Sequence, residues 1–307
     1  MRRWLGGLVA LSALSALLAG CGMPAGVDGD LVDDWSPAGE PRALVPAADT
    51  CRTAFNAGAS LGNRVSVRGH VVDGSVATPE PSACSASHEV ETVHVGTFEG
   101  AGEAPPAAGS NAVRTAFADC DAKAKQFVGG DWRGARLQLW VALPPASTWA
   151  GGGRWYRCDV GELATIDHDV PTARTASLKG AAGGPSPLRL GCFRPAIVDD
   201  LLNTMEAVPC TQPHRAEFVG VWTAPDTRYT DFVDTDTRAH GACRDLVAAY
   251  AKLPKDGDLE SRVGTIYYSP SEEQWADGNR GVQCFLWNDR DLRRSVKGAG
   301  PSALPAR

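Results

Sequence analysis

A pattern of cysteine, histidine and glutamate occurs twice in this chain at a constant offset. Cys84, His88 and Glu91 follow the spacing C-x3-H-x2-E, and the same spacing recurs 126 residues later. The later members are Cys210, His214 and Glu217. A second motif, W-A-x-G-x-R-x3-C, begins at Trp149 and again, at the same offset, at Trp275. One offset shared by two separate motifs indicates an internal duplication, so the sequence predicts two similar folded units in tandem.

The start of the chain predicts export and lipid anchoring. Arg2 and Arg3 precede an apolar run that ends in Leu18-Ala19-Gly20-Cys21. Short apolar runs that end in small residues are typical of signal peptides rather than membrane spans. The tetrapeptide resembles the lipobox of bacterial lipoproteins, in which cleavage occurs just before a lipidated cysteine. We therefore expect residues 1–20 to be removed and Cys21 to carry acyl chains such as palmitate, which would anchor the protein on the extracytoplasmic face of the cell membrane.

The cysteine count agrees with an oxidising compartment. Of nine cysteines, Cys21 is assigned to the lipid, and the other eight divide evenly between the two copies. An even set in an exported protein predicts disulfides, here two within each copy. Four cysteines allow three pairings, and spacing alone does not choose among them. Because the first and last cysteines of each copy lie in predicted terminal strands, which often pair, the favoured pairing is Cys51–Cys158, Cys84–Cys120, Cys192–Cys284 and Cys210–Cys243.

Charge narrows the range of partners. The whole chain has a net charge of −6, and loss of Arg2 and Arg3 with the signal peptide makes it −8. An acidic chain is a poor match for nucleic acid or for a polybasic contact with a membrane surface. We expect no nucleic-acid partner, and the expected membrane contact is through the lipid alone.

Periodicity predicts an α+β fold for each copy. A helix capped by Ser110 and ended by Gly129 carries Cys120 on its apolar face, and a helix beginning near Asp236 carries Cys243. Alternating strands surround both helices, so each unit should be a small antiparallel sheet with one packed helix. The expected organisation is a tether over 21–47, a first repeat over 48–171, a linker over 172–188, a second repeat over 189–292 and a tail over 293–307.

The paired histidines and glutamates allow a structural or a catalytic interpretation. On a continuous strand His88 and Glu91 would face opposite ways, although a bend could bring them together. A glutamate on an apolar face needs a partner, and we hypothesise the ion pairs Glu91–Arg154 and Glu217–Arg280. Neither copy has the H-E-x-x-H spacing of a zinc protease, so no metal or other cofactor is expected. The Trp149 and Trp275 motifs are interpreted as core anchors that open a tight turn, with an exposed aromatic–arginine patch as the alternative.

These motifs resemble the actinobacterial "septum formation" domain. The usual form of that domain is close to P-C-x2-P-H-x2-E-V, which the second copy matches at Pro209, Cys210, Pro213, His214 and Glu217. The first copy departs from it, because Ala83, Ser87 and Thr92 occupy positions that are usually proline, proline and valine. The resemblance implies a link to cell division or to the cell envelope, and no catalytic reaction comes with it.

The sequence therefore predicts an envelope lipoprotein without enzymatic activity. Its two disulfide-bonded domains would bind an envelope protein or a wall polymer. The alternative is an envelope hydrolase that uses His88 or His214 with an adjacent carboxylate.

Overall fold

Two five-stranded sheets, one in each half of the chain, organise the described part of the protein. The computed structural model describes residues 43–53, 55, 59–60, 63–64, 69–73, 81–100, 102–167, 171–199, 201–234 and 236–306. All of them belong to one unit, Ala43–Arg307. Cys21, the signal peptide and most of the tether over 21–47 lie outside the described residues. None of the helices in the described part of the chain has the length and apolar character needed to cross a membrane.

The N-terminal sheet has the strand order β1-β5-β7-β6-β4, and its neighbours are antiparallel except for the parallel pair of β4 and β6. Its half contains β1 Thr50–Arg52, β2 Ala59–Ser60, β3 Asn63–Arg64, β4 Val71–Asp73, β5 Val90–Thr97, α1 Asn111–Val128, β6 Leu137–Leu143, α2 Ala146–Ala150 and β7 Trp155–Glu162. Strands β2 and β3 form a separate small ribbon.

The C-terminal sheet has the order β11-β12-β10-β8-β9 and is antiparallel throughout. Its half contains β8 Cys192–Val198, β9 Leu201–Val208, β10 His214–Thr223, α3 Tyr229–Val233, α4 Asp236–Ala251, α5 Leu259–Arg262, β11 Gly264–Tyr268, α6 Glu272–Ala276 and β12 Gly281–Leu292. The predicted α+β class is confirmed, with one long helix beside each sheet.

Local chemistry sets the ends of α1 as predicted. The Ser110 side chain accepts a hydrogen bond from the Val113 amide, which satisfies one of the free donors of the first turn. Gly129 ends the helix in the left-handed conformation, at a φ of 75°, which glycine adopts without a side-chain penalty. The helix buries Cys120 and the apolar residues of the same face against the sheet. In the second half, Asp236 is the first residue of α4, and its side chain is outside the described part.

The structure keeps two disulfides in each half but corrects the predicted pairing. The bonds are Cys51–Cys84, Cys120–Cys158, Cys192–Cys210 and Cys243–Cys284. The predicted Cys51–Cys158 and Cys192–Cys284 bonds are wrong, and Cys84–Cys120 and Cys210–Cys243 are wrong with them. In each half one disulfide joins the long helix to the sheet, and the other joins strand β1 or β8 to the loop before the neighbouring strand, β5 or β10.

Strand order explains why the favoured pairing fails. Cys51 lies opposite Glu91 of β5, and Glu91 lies opposite Val160 of β7, so β1 and β7 are on opposite sides of β5. Cys192 and β12 are separated by β10 in the same way. Two strand spacings are about 9–10 Å, whereas a disulfide needs Cα atoms within roughly 7 Å. The first and last strands of each half are therefore near each other without being neighbours.

The segments predicted to be an interdomain linker and a tail both contribute residues to the core. Leu178, in the predicted linker 172–188, is fully buried in the cluster between α1 and the N-terminal sheet. Val296 and Leu304, in the predicted tail 293–307, are buried beside α4. Both segments carry the sequence S-[LV]-K-G-A, at Ser177–Ala181 and Ser295–Ala299. Each half therefore continues beyond its last strand into a segment that returns to the helix.

The outer faces of the two sheets, away from α1 and α4, differ sharply. At matching register positions the C-terminal sheet carries Phe193, Phe218 and Phe285, whose rings pack at 5.4 and 5.5 Å. The N-terminal sheet has Arg52, Thr92 and Asp159 there. Thr92 donates to Asp159 at 2.7 Å and accepts from Arg52 at 3.3 Å. A buried polar network in one half thus replaces an aromatic core in the other.

Candidate functional site

His88 and Glu91 meet in the buried interior as a unit that we call the N-terminal clamp. β5 begins at Val90, so His88 lies before the strand and its ring can turn towards Glu91. The His88 Nε2 atom lies 3.2 Å from Glu91 Oε1, and Nδ1 lies 2.8 Å from the Ala86 carbonyl oxygen. The Glu91 carboxylate also accepts from the Leu178 amide at 2.6 Å and from the Ser177 hydroxyl at 2.8 Å. The clamp therefore fixes the segment that follows the sheet.

The C-terminal clamp reproduces this arrangement around His214 and Glu217. Nε2 of His214 lies 3.1 Å from Glu217 Oε1, and Nδ1 lies 2.8 Å from the Gln212 carbonyl oxygen. Glu217 accepts from the Val296 amide at 2.9 Å and from the Ser295 hydroxyl at 2.7 Å. It also accepts from the Tyr250 hydroxyl of α4 at 2.9 Å, a contact that ties the clamp to the helix.

The histidine and glutamate side chains of both clamps are buried, and their polar atoms have hydrogen-bond partners inside the protein. His88, His214 and Glu217 are fully buried, and Glu91 is 3% exposed. In each clamp one imidazole nitrogen faces a carbonyl oxygen and the other faces the carboxylate, so neither ring nitrogen is left for an outside group. A general base needs a free acceptor within reach of substrate. Both nitrogens of each ring and both oxygens of each carboxylate already have internal partners.

The arginine partners predicted for these glutamates are elsewhere. Arg154 donates to the Trp149 carbonyl oxygen at 2.6 Å, and its guanidinium lies over the Trp149 ring at 4.2 Å. Arg280 donates to the Trp275 carbonyl oxygen at the same distance and lies over that ring at 4.1 Å. The predicted ion pairs Glu91–Arg154 and Glu217–Arg280 are therefore wrong. Each arginine instead caps the short helix that contains its tryptophan.

The two tryptophans are buried anchors. Trp149 donates through its indole nitrogen to the Gly102 carbonyl oxygen, and Trp275 donates to the Thr227 carbonyl oxygen. Both rings are at most 3% exposed, so they offer no aromatic patch to a partner. Arg280 also binds Asp226, which in turn binds Arg114 of α1.

Two groups in the described part of the chain bring metal-binding residue types together. Cys51 and Cys84 approach Glu91, and Cys192 approaches His214 and Glu217. In both groups the sulfur atoms are in disulfides, which lack the thiolate that binds zinc. The histidine and carboxylate atoms are engaged within the clamps. The donor chemistry of these groups therefore does not fit a metal site.

A polar junction between the two sheets is a site that sequence reasoning missed. Asn279 accepts from the Arg133 guanidinium at 2.7 Å, and its amide nitrogen lies 2.9 Å from Nε2 of His70. Asp277 accepts from the His70 amide at 3.1 Å and from the Gly109 amide at 3.0 Å. The sequence carries a signal for this junction, because Asp277 and Asn279 occupy the variable positions of the motif W-A-x-G-x-R. The first copy of that motif has glycine at both positions.

Beside this junction a cleft of about 590 Å³ lies between the two halves. Clefts of this size hold small molecules or short stretches of a partner. Its lining is largely polar and aromatic and includes Trp132, Gln138, Asp167, Tyr229, Tyr268 and Glu272. In contrast to the clamps, it has polar side chains that face open space rather than only each other.

Fold and sites define a disulfide-bonded α+β protein with closed His–Glu clamps and an open polar cleft between its two sheets. The chain belongs to the septum formation family, whose model matches residues 70–284. This single match begins at His70 of the junction and ends at Cys284 of the second helix–sheet disulfide, so it spans both sheets. No curated protein and no solved structure gives a significant match.

Replacement of Glu217 by glutamine tests the C-terminal clamp. The amide keeps the size of the side chain but loses its charge and one acceptor atom, so buried donors lose their partner. We expect a loss of about 2–4 kcal/mol in the free energy of unfolding by urea. Amide exchange over 295–299 should become faster. The matched variant Glu91→Gln should instead speed exchange over 177–181, and unchanged protection of both segments would contradict the clamp.

The buried His70 predicts a loss of stability in acid. Burial away from water lowers the pKa of His70 to about 3, so the unfolded chain takes up a proton near pH 6.5 and the folded chain does not. The unfolded state therefore binds more protons between these values, and stability falls as the pH decreases from about 6.5 to about 3. The cost is about 2 kcal/mol between pH 6.5 and pH 5.

Urea unfolding at pH 7 and pH 5 measures this effect. The His70→Gln variant should lose about 2 kcal/mol less than the wild type over that interval. The partly exposed His94, whose ring binds Asp119, provides the control, and His94→Gln should keep most of the wild-type difference. Equal losses in the wild type and His70→Gln would show that His70 is not the responsible group.

Proposed function

We propose that this protein is a non-enzymatic envelope lipoprotein that binds an envelope protein or a wall polymer during cell division. The observation that carries the proposal is the contrast between the two kinds of polar site. Both His–Glu clamps are buried and fully engaged, whereas the polar groups around the cleft face open space. The family description, septum formation, supports a role in cell division at the envelope.

Two features support an extracytoplasmic location. The sequence Leu18-Ala19-Gly20-Cys21 resembles a lipobox, and palmitate or a related acyl chain on Cys21 would hold the protein at the membrane. The other eight cysteines all form disulfides, which persist in oxidising compartments.

We further propose that the two halves are tandem copies of one unit. The motifs at the constant offset of 126 residues support this, and so do the matching clamps and the S-[LV]-K-G-A segments that they bind. In this proposal the predicted linker and tail are the closing segments of the first and second copies.

The alternative function is an envelope hydrolase that uses His88 or His214. It would require the clamp to open, because each imidazole is fully buried against its own glutamate. Opening would leave a charged carboxylate without its buried donors, which is costly. The closed clamps therefore favour the binding function.

Metabolic labelling tests the anchor. Cells that express the wild-type protein and are fed an alkyne analogue of palmitate should yield a labelled protein in the membrane fraction. Cys21→Ser should abolish the label and move the protein out of that fraction. A buried cysteine pair changed to alanine, Cys243 with Cys284, is the control that alters cysteine content without touching the lipobox. Equal labelling of Cys21→Ser would refute lipidation at this residue.

Crosslinking in cells and two measurements on the purified, oxidised protein separate binding from hydrolysis. Photo-crosslinking from Ser269, at the cleft, should capture a defined envelope partner in cells, and co-sedimentation with purified wall sacculi tests a polymer partner. Incubation with sacculi should release soluble fragments only at the background rate. Release that falls at least tenfold in a folded His88→Gln, His214→Gln variant, but not in His94→Gln, would favour the hydrolase instead.

A further inference from the structure

The cleft is lined from two parts of the chain. The second half contributes the segment from Tyr268 into α6, together with Tyr229 of α3, and the first half contributes Leu163, Ile166 and Asp167. Trp132, Arg133 and Gln138 of the first half also line it, and the Tyr268 hydroxyl donates to Asp167 at 2.8 Å. Both halves of the chain therefore contribute to the lining, and the junction of His70, Asn279 and Asp277 fixes their relative positions.

The charge that faces the cleft is negative. Asp167, Glu272 and Glu273 line it, and Arg133 is the cation in its lining. The Arg133 charge is already neutralised, because its guanidinium binds Asp121 at 2.8 Å and Asp131 at 3.2 Å. Its remaining nitrogens donate to Asn279. A phosphate, a carboxylate-rich polymer or another anion would therefore find no available cation there.

An aromatic ring lies among these acids. Tyr229 lines the cleft with Glu272 and Glu273, and its phenol pKa is raised by burial and by the charges of these two carboxylates. Its hydroxyl has no hydrogen-bond partner within the described residues. The ring packs against Trp275, which holds it in place. An aromatic ring flanked by carboxylates attracts an ammonium or guanidinium group through both its π face and its charged neighbours.

The amide side chains of Gln138 and Gln274 line the cleft and have positions left for further hydrogen bonds. Gln138 is 6% exposed and Gln274 is 9% exposed, so both are held firmly by their surroundings. Gln274 accepts from the Ser271 amide, which leaves its nitrogen for a ligand within the part of the chain described. The His70 Nδ1 atom that faces Gln138 donates to the Leu139 carbonyl oxygen, so it does not accept from the Gln138 amide. Both glutamine amides therefore keep hydrogen-bonding positions that suit the carbonyl and N–H groups of an extended peptide.

We propose that this cleft binds a basic, extended segment of a polypeptide partner, with a lysine or arginine side chain held by Tyr229, Glu272 and Glu273. The inference rests on the proposed binding function and deepens it by naming the partner's chemistry. The fixed amides contact the peptide backbone, and the carboxylates select its charge. Complementary charge of this kind speeds association and rejects acidic partners.

Titration calorimetry of the purified, oxidised protein with hexalysine tests the assignment. Hexalysine should bind, the affinity should fall as salt is raised, and hexaglutamate should give no binding. The double variant Glu272→Gln, Glu273→Gln should weaken hexalysine binding by about tenfold, since two exposed charge contacts are lost. The charge-matched control is Glu99→Gln, Glu103→Gln, which alters two exposed acids outside the cleft. The control should bind as the wild type does.

The outcomes distinguish this inference from the function on which it rests. Equal hexalysine affinity in the cleft variant and the wild type would overturn the cleft assignment, as would binding of the neutral glycan chitotetraose without binding of hexalysine. Near-UV circular dichroism confirms that each variant is folded. An envelope partner captured equally well by the cleft variant in cells would keep the binding function and refute the basic-peptide cleft. Failure to capture any partner and failure to bind hexalysine would refute both.

Discussion

The buried carboxylate of each clamp is the interaction on which the rest of the architecture depends. A charged oxygen inside a protein is stable only when donors surround it, and in the C-terminal clamp the donors come from three separate stretches of chain. Around Glu217 they are the ring of His214, the hydroxyl of Tyr250 on α4 and the backbone at Ser295–Val296. The sheet, the helix and the closing segment are thus joined at one point, while a disulfide joins helix and sheet at another. This arrangement gives the histidine and the glutamate a structural reason to keep a fixed spacing.

Much of the fold can be predicted from local sequence patterns, but the contacts between residues far apart in the sequence cannot. The helix that begins after Ser110 and the strands around Glu91 and Glu217 were predictable, because periodicity and capping act over a few residues. The disulfide partners depended on strand order, which no single strand reveals. The closing segments resemble a linker and a tail in sequence, because the first is rich in glycine, alanine and proline and the second is basic. The leucine or valine in each is buried where a distant glutamate accepts a hydrogen bond from its backbone amide, a contact that no local pattern reveals.

The candidate sites show the same contrast between local patterns, which the sequence reveals, and long-range contacts, which it does not. Sequence reasoning found His88 and His214 because polar residues at a repeated spacing stand out, but it assigned their glutamates to Arg154 and Arg280. That error has a physical origin, since a cation seemed the simplest partner for a buried acid. The protein instead uses a histidine, hydroxyls and backbone amides, and each arginine lies on its own tryptophan. The junction at His70 escaped notice because its members are far apart in sequence and only the fold brings them together.

What does not repeat between the halves is the better guide to function. The clamps and the tryptophan–arginine contacts occur in both halves, as expected of elements that maintain a fold. Within the described residues the junction occurs once, because it depends on Asp277 and Asn279, where the first half has Gly151 and Gly153, and the cleft lies beside it. The outer faces differ as well, with a polar network at Arg52 and Asp159 in one half and an aromatic core at Phe193 and Phe285 in the other. Under the proposed binding function, a ligand in the cleft contacts both halves at once, so the pair of sheets, rather than either sheet alone, forms the binding unit.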